Sequence, residues 1–524
     1  MMAVTILTIA MSICFLYAVF NSFGKCIHMF QLNSYQYAGY FRTIFRIRSY
    51  FIPYFFICLF TIPIALWVDN IYVSRIIISV LFVLFGLVRK PDRFAKKKFA
   101  YTKRVKRLIF TNMLIALTAA IFMYLFRNNT LSMIIPIAFY ALSAFIMLIG
   151  NIINTPIEKG INRYYINDAK AKLNSCGANV VGITGSYGKT SVKFYLSSLL
   201  REKYDTLNTP SSFNTPLGIV KTIRESLLPT HEIFVCEMGA RHVGDIKEIC
   251  DIVHPCCGII TSIGEQHLET FHTLENIKRT KLELADAVNK NNNGFILINA
   301  DSVKDAKSLP YNNAKIITYG TTDSCDYVAS DIKLSADGMS FKVSAYNSES
   351  CIFTTKLLGK HNILNLLGSI AFAHEYGIPL CDLQLRVRRI KPIEHRQELK
   401  RINNGVIIDD SFNSNPAGAK SALDTLYGFE ATKILITPGM VELGDKEYAL
   451  NKEFGKQASK ICDYVFLVGK VHTQSIYDGL KSESFNMDKV VIVPSFKDAI
   501  AQALLINSQG NRAILIENDL PDNY

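Results

Sequence analysis

Five apolar runs fill most of the first 150 residues, at about 3–22, 51–68, 71–88, 108–126 and 131–149. At 1.5 Å of rise per residue, each is about long enough to cross a hydrocarbon core as a helix. They are apolar on all sides rather than striped, as lipid-embedded helices are. The bland alternative is a buried soluble bundle, and five such runs in succession argue against it. The composition agrees: 49% of the 524 residues are hydrophobic, and mean hydropathy is positive.

Charge orients these runs. Of a formal net charge of +13, much sits in segment 89–107, with ten Lys/Arg against one Asp. Lys25, Arg42, Arg46 and Arg48 follow the first run, whereas the links at 67–70 and 126–130 are short and nearly neutral. Positive loops stay in the cytoplasm, so the N-terminus is expected outside and everything after Gly150 inside. The first run has no basic leader and no small-residue cleavage site, and reads as a retained helix. The expectation is a multi-pass protein of the cell membrane with cytoplasmic catalytic domains, its basic loop lying against anionic lipid headgroups. No nucleic-acid motif accompanies the charge, and no nucleic-acid partner is expected. The twelve cysteines form no C-x-x-C pair, which argues against a zinc or redox motif and suits a reducing compartment. The neighbours Cys256 and Cys257 read as small buried residues.

After residue 175 the pattern changes to short β-branched runs that end in polar or glycine-rich turns and lead into helices. This predicts α/β architecture with parallel sheets and ligands at the carboxyl ends of the strands. A break near 388–399 separates a second α/β unit. The expected domains are a transmembrane region (1–150), a central ATP-binding domain (151–390, opening with a link to about 175) and a C-terminal Rossmann-like domain (391–524).

The stretch "GITGSYGKTS" (182–191) follows a predicted strand and opens a helix. Backbone N–H groups at a helix start cradle phosphates. Lys189 can reach a β- or γ-phosphate and Thr190 can ligate Mg²⁺. A strict phosphate loop has Gly where this chain has Ile183. Further candidates follow in order: Glu237 at a strand end, His267, Lys281, His361 with Asn362, and Asp410, Asn413 and Asn415 in "DDSFNSNP". Singly, each has a structural reading as a cap, a surface histidine or a solvated lysine.

Together these motifs resemble the Mur ligases, most closely the MurF type, over about residues 175–445. The resemblance covers the T-G-[ST]-x-G-K-[ST] loop, which in that family lacks the first glycine, "SSFNTPLGI" (211–219), the strand end "EMGARHVGDI", "HLETF", "GKHN" and "DDSFNSNP". It implies an ATP-dependent ligase of peptidoglycan precursor synthesis that forms carbon–nitrogen bonds through an acyl phosphate. By resemblance, Gly185, Ser186, Gly188, Lys189, Thr190 and Ser191 hold ATP, and Asn362 and Arg396 contact the nucleotide. Asp410 and Asn413 close over it. Thr190, Glu237, His267 and Lys281 hold Mg²⁺, with Lys281 carbamylated by CO₂. Lys189, His267 and Lys281 form the implied catalytic set. No residue stands out as a general base.

The chain departs from the family twice. Membrane runs stand where a UDP-binding domain is expected, which favours a membrane-linked carboxylate precursor over a soluble one. The family's C-terminal K-G-S stretch is also missing. The chain ends "AILIENDLPDNY", with Glu517, Asn518 and Asp519 clustered after a strand, so the incoming amine, an amino acid or dipeptide, stays open. Rival readings are a membrane-anchored ligase for another polymer such as a poly-amino acid, a transporter driven by the phosphate loop, and a silent scaffold. "VIIDD" (406–410) mimics the carboxylate strand of transport ATPases but runs on into N-S-N-P. Intact Lys189, Glu237, His267 and Lys281 weigh against a scaffold.

Overall fold

The computed structural model describes residues 2–46, 52–68, 70–91, 98–211, 213–291, 294–335, 338–412, 414–441, 443–470, 472–506 and 511–519. They divide into two compact units, the first ending at Tyr164 and the second beginning at Tyr165. Arg48, part of the basic segment 89–107, and Asn413 lie outside the described residues.

The first unit is helical: α1 (Met2–Leu32), α2 (Tyr37–Arg46), α3 (Ile52–Trp67), α4 (Ile71–Val88), α5 (Lys103–Leu125), α6 (Leu131–Ala141) and the start of α7 (Ser143–Cys176). Three of these, α1, α4 and α5, are long and apolar enough to cross a membrane, and the pair α6–α7, bent by 75°, would make a fourth span. Among the described residues, two of the five apolar runs do not form a single helix of that length. The run at 131–149 breaks at Leu142, and α3 is only 16 residues long with Pro63 inside it. The residues expected to link the domains (151–175) continue α7 as helix. Phe15, Phe23, Phe82 and Tyr140 are buried at the bundle centre, while Ile6, Ile13, Ile76, Leu84, Phe110 and Ile121 face outward. An outward apolar face on long helices is what lipid contact requires.

The second unit is α/β. Its first sheet comprises β1 (Asn179–Thr184), β2 (Thr206–Asn208), β3 (Ile233–Glu237), β4 (Cys257–Ile260), β5 (Phe295–Asn299), β6 (Lys315–Gly320), β7 (Tyr327–Ser335), β8 (Gly338–Ala345) and β9 (Ser350–Thr355). Their order is β2-β3-β1-β4-β5-β6-β7-β8-β9. The ladder is parallel up to β7, and β7, β8 and β9 pair antiparallel. The sequence pattern predicts parallel strands only, and this antiparallel extension is an addition to it.

Both faces of the central strands are covered, which accounts for their unbroken apolar runs. Helix α8 (Lys189–Leu200) lays Val192, Leu196 and Leu199 on one face, and Ile223, Leu284 and Ala285 pack on the other. Ile183 is the buried penultimate residue of β1. It is therefore a core strand residue, not a damaged loop glycine.

The second sheet holds β10 (Glu398–Ile402), β11 (Gly405–Asp410), β12 (Thr432–Thr437), β13 (Tyr464–Val468), β14 (Val490–Val493) and β15 (Arg512–Glu517), in the order β10-β11-β15-β12-β13-β14. Only the β10–β11 edge is antiparallel. Polar residues gather at the carboxyl ends of both sheets.

Candidate functional site

The turn from β1 into α8 needs glycine at two places. Gly185 has φ +150° and Gly188 has φ +81°. A Cβ at Gly185 would lie 1.9 Å from Thr261 Oγ1, and one at Gly188 would lie 2.2 Å from Asn365 Oδ1. The segment after β4 fastens the turn. Ser186 N–H donates to Ser262 O (2.6 Å), Ser186 Oγ to Gly264 O (3.0 Å), Tyr187 Oη to Glu265 O (2.9 Å) and Thr261 Oγ1 to Tyr187 O (2.5 Å). The loop is thus held rigidly by its neighbours. Lys189 Nζ bonds the carbonyls of Gly185 (2.7 Å) and Ser186 (3.0 Å).

Beneath the loop lies Glu237, at the end of β3 and 2% exposed. Its Oε1 accepts from Thr190 Oγ1 (3.1 Å) and Asn214 Nδ2 (3.0 Å). Its Oε2 forms an ion pair with Lys193 Nζ at 2.9 Å, with no directed hydrogen bond. Burial opposes this charge, but Lys193, Lys189 and the hydrogen bonds outweigh it and hold the carboxyl below its usual range. For Lys193 the balance runs the other way. It is fully buried, and burial lowers its ammonium despite Glu237. The asymmetry has a physical cause: Glu237 has several cations and donors around it, whereas Lys193 has one carboxylate and feels repulsion from Arg396.

Lys189 is lowered to about 8, by burial first. Lys281, on the helix Leu274–Val288, is 3% exposed, and burial together with the charge of Lys189 holds it well below the ordinary lysine range. Arg396 feels both Glu237 and Asp410, and its guanidinium lies 4.4 Å from the centre of the Phe412 ring. The cluster therefore gathers Lys189, Lys193 and Arg396 around Glu237, a positive field suited to a polyphosphate, with the amine of Lys281 near Lys189.

Other expected residues take different places. Ser191 is buried in α8. Asn362 is 3% exposed, and both ends of its amide are engaged: Nδ2 donates to Leu358 O (2.7 Å) and Oδ1 accepts from Tyr195 Oη (2.9 Å). It packs behind α8 and supports the loop's helix. His361 contacts Ser421 Oγ (2.9 Å), and burial lowers it to about 4. Asn415 caps the helix Pro416–Tyr427 through Gly418 N–H (2.8 Å). His267 sits in left-handed backbone (φ +53°) and lines a crevice with Glu265, Gln266, Ser414 and Asn415. Asp410 accepts from Gln397 Nε2 (3.2 Å), and burial raises it to about 6. Sequence reasoning singled out none of Lys193, Asn214, Asn365 and Thr261. The available signals were the motif "SSFNTPLGI" (211–219), which contains Asn214, and the Lys189–Lys193 spacing of four, which puts both on one face of α8.

Among the described residues, no three His, Cys, Asp or Glu side chains gather as a metal cage. Magnesium usually keeps waters and substrate phosphates and takes one or two protein carboxylates. The Thr190–Glu237 pair fits that demand.

The fold and site define an α/β protein of two sheets with basic and acidic side chains gathered where β1 and β3 end. The Mur ligase middle domain matches residues 183–373, and the Mur ligase glutamate ligase domain matches residues 395–517. The UDP-N-acetylmuramoyl-tripeptide--D-alanyl-D-alanine ligase of Bacillus subtilis (strain 168) is 31% identical over 356 residues, 67% of this chain and 75% of that protein. The Escherichia coli (strain K12) enzyme of the same name is 28% identical over 348 residues, 65% and 75% of the two chains. The MurF ligase of Thermotoga maritima, solved in complex with ADP, superposes with a TM-score of 0.61 at 23% identity, covering 68% of this chain and 80% of that one. The chain belongs to the Mur ligase family. It is an ATP-dependent ligase of the MurF type that forms peptide bonds.

Proposed function

We propose that this ligase joins D-alanyl-D-alanine, or a closely related amine, to a peptidoglycan-type carboxylate precursor at the cytoplasmic face of the membrane. The observation that carries the reading is the buried Lys189–Glu237–Lys193–Lys281 cluster beneath a glycine loop at the ends of parallel strands. Gly185, Gly188 and Lys189, together with Ser186 and Thr190, hold the ATP phosphates of a P-loop domain. A Rossmann-like C-terminal domain brings Arg396 and Asp410 to the nucleotide, and by the family resemblance Asn413 would join them. Thr190, Glu237 and His267 would hold Mg²⁺, which supplies charge neutralisation at the transferring phosphoryl group.

The state of Lys281 supports its carbamylation. Carbamate formation needs the neutral amine, and burial beside Lys189 favours that form. The product would turn a buried amine into an anionic group facing cations. The chemistry follows from the poor electrophilicity of a carboxylate. ATP converts it to an acyl phosphate, the incoming amine attacks the carbonyl carbon, the C–N bond forms and phosphate leaves.

The helices α1, α4 and α5 and the bent pair α6–α7 support membrane anchorage and hence a lipid-linked precursor. The full chain in detergent, given ATP, should release phosphate only when both an acid and an amine are supplied. Lipid-linked precursor should be used better than UDP-muramoyl-tripeptide. Equal use of the two would remove the reason for a lipid-linked substrate. No amine-dependent release with either would overturn the ligase reading of this site.

A further inference from the structure

Two thiols meet where a helix covers the last strand of the first sheet. Cys351 is on β9, on the buried face that it shares with Phe353 and Thr355. Cys381 is the second residue of the helix Leu380–Arg389, whose Leu380, Leu383 and Val387 pack into the core. The two sulfurs lie 2.8 Å apart and share a hydrogen bond. A disulfide bond is about 2.05 Å long, so they need to close by less than ~1 Å. Gln384, one helical turn past Cys381, donates from Nε2 to Ile352 O at 2.8 Å and ties the same helix to the same strand. The pair is therefore held by a strand and a helix rather than by loops.

Exposure decides which thiol an oxidant meets first. Among the described cysteines, Cys381 is the one that is exposed. Cys351 is 9% exposed, and burial together with its hydrogen bond to Cys381 raises its thiol to about 11. Cys381 thus faces solvent, with Cys351 behind it as the thiol that resolves the product. The pair stands apart from the ATP loop. In the sheet order β9 is six strands from β1, roughly 30 Å at about 4.8 Å per strand.

We propose that Cys351 and Cys381 are a dithiol that a hydroperoxide oxidises reversibly to an intramolecular disulfide. The Cys381 sulfur gives up its proton and attacks a peroxide oxygen. The O–O bond breaks, a sulfenic acid forms on Cys381, and the leaving hydroxide takes the proton to become water. The Cys351 sulfur then attacks the Cys381 sulfur. The S–O bond breaks, the S–S bond forms, and a second water leaves with the Cys351 proton. The two thiols lose two electrons, and hydrogen peroxide gains them as it becomes two waters. An added dithiol reverses the link. The disulfide staples β9 to the helix that leads on toward Arg396. The inference does not depend on the ligase reading.

The test treats the full chain in detergent with hydrogen peroxide, blocks the remaining thiols with iodoacetamide and reads tryptic peptides by mass spectrometry. The peptide with Cys351 should be joined to the peptide with Cys381, and dithiothreitol should separate them. Two of the twelve thiols should be lost to this link. Cys381→Ser should abolish the linked peptide and leave Cys351 alkylated. Cys351→Ser should strand Cys381 as a sulfenic acid, which dimedone then labels more heavily than in the unaltered protein. Because Cys381 is exposed, its serine variant decides the matter if Cys351→Ser does not fold. No linked peptide from the folded, unaltered protein overturns the proposal. So does Cys381 passing on to the sulfinic or sulfonic acid while Cys351 stays free.

Discussion

Replacing Lys193 by Met removes one half of an ion pair whose partners are 0% and 2% exposed and 2.9 Å apart. At an effective dielectric of about 20, two unit charges at that distance attract by roughly 6 kcal/mol. Burying both ions cancels much of that attraction, yet removing only one leaves the other charged and unmatched, which typically costs about 3–5 kcal/mol. Glu237 would keep Thr190, Asn214 and Lys189 as partners, so the low end, ~3 kcal/mol, is expected. Lys193→Met/Glu237→Gln removes both charges and should recover at least ~1.5 kcal/mol of the summed single losses.

The assay is urea unfolding of the full chain in detergent, followed by amide hydrogen exchange in β1, β3 and α8. Tryptophan fluorescence would not report on this unit, because the single Trp is Trp67 of α3. The pH dependence has a definite sign. The Glu237 pKa is depressed by folding, so its stabilisation is present above the ordinary carboxylate pKa and is lost as pH falls through the folded value. In Lys193→Met that acid loss should begin at higher pH. A change below ~1 kcal/mol, or a double variant equal to the sum of the singles, would refute this account of the pair.

Other substitutions probe the remaining parts. Lys281→Ala should lower phosphate release by about 10- to 100-fold or more, with partial rescue by a short added carboxylate; full activity without rescue would remove the carbamate. Gly188→Ala, at φ +81°, should cost about 1–2 kcal/mol in backbone strain and weaken ATP binding, both readable by thermal shift with and without ATP. Glu517→Gln should stabilise the ligand-free protein increasingly between pH 5 and about 8. In that range the unfolded chain has released the Glu517 proton and the folded chain still holds it, so the native protein loses stability as pH rises. A pH-independent difference in melting temperature would count against this. Alkaline carbonate washing should leave the chain in the membrane and detergent should release it; release by carbonate would contradict spanning helices.

Much of the site was legible because motif and position agreed. Glu237 at a strand end, Lys189 and Thr190 opening a helix, and Lys281 further along all lie where the sequence placed them. Lys193 was not legible, since a helix lysine defaults to solvent and only the tertiary fold buries it beside Glu237. Asn362 was legible as a motif residue, but nothing in the sequence tells an asparagine that faces a ligand from one that braces Tyr195. The break at Leu142 was not legible because hydropathy sees composition along a run, not the helix geometry between α6 and α7. The antiparallel strands β7–β9 show the alternation of a half-exposed edge, with β9 burying every second residue, a weaker signal than the continuous apolar strands beside them. Glu517 stood out as part of a polar cluster, and its burial against Asp410 and Ser414 emerged only from the sheet order.

The central claim is that ATP activates a carboxylate here by forming an acyl phosphate. A precursor whose reacting carboxylate carries ¹⁸O at both oxygens tests it directly, with the released phosphate analysed by mass spectrometry. The account predicts one ¹⁸O in each phosphate, formed only when the amine is present and in proportion to the amide product. Unlabelled phosphate accompanying amide formation would contradict it.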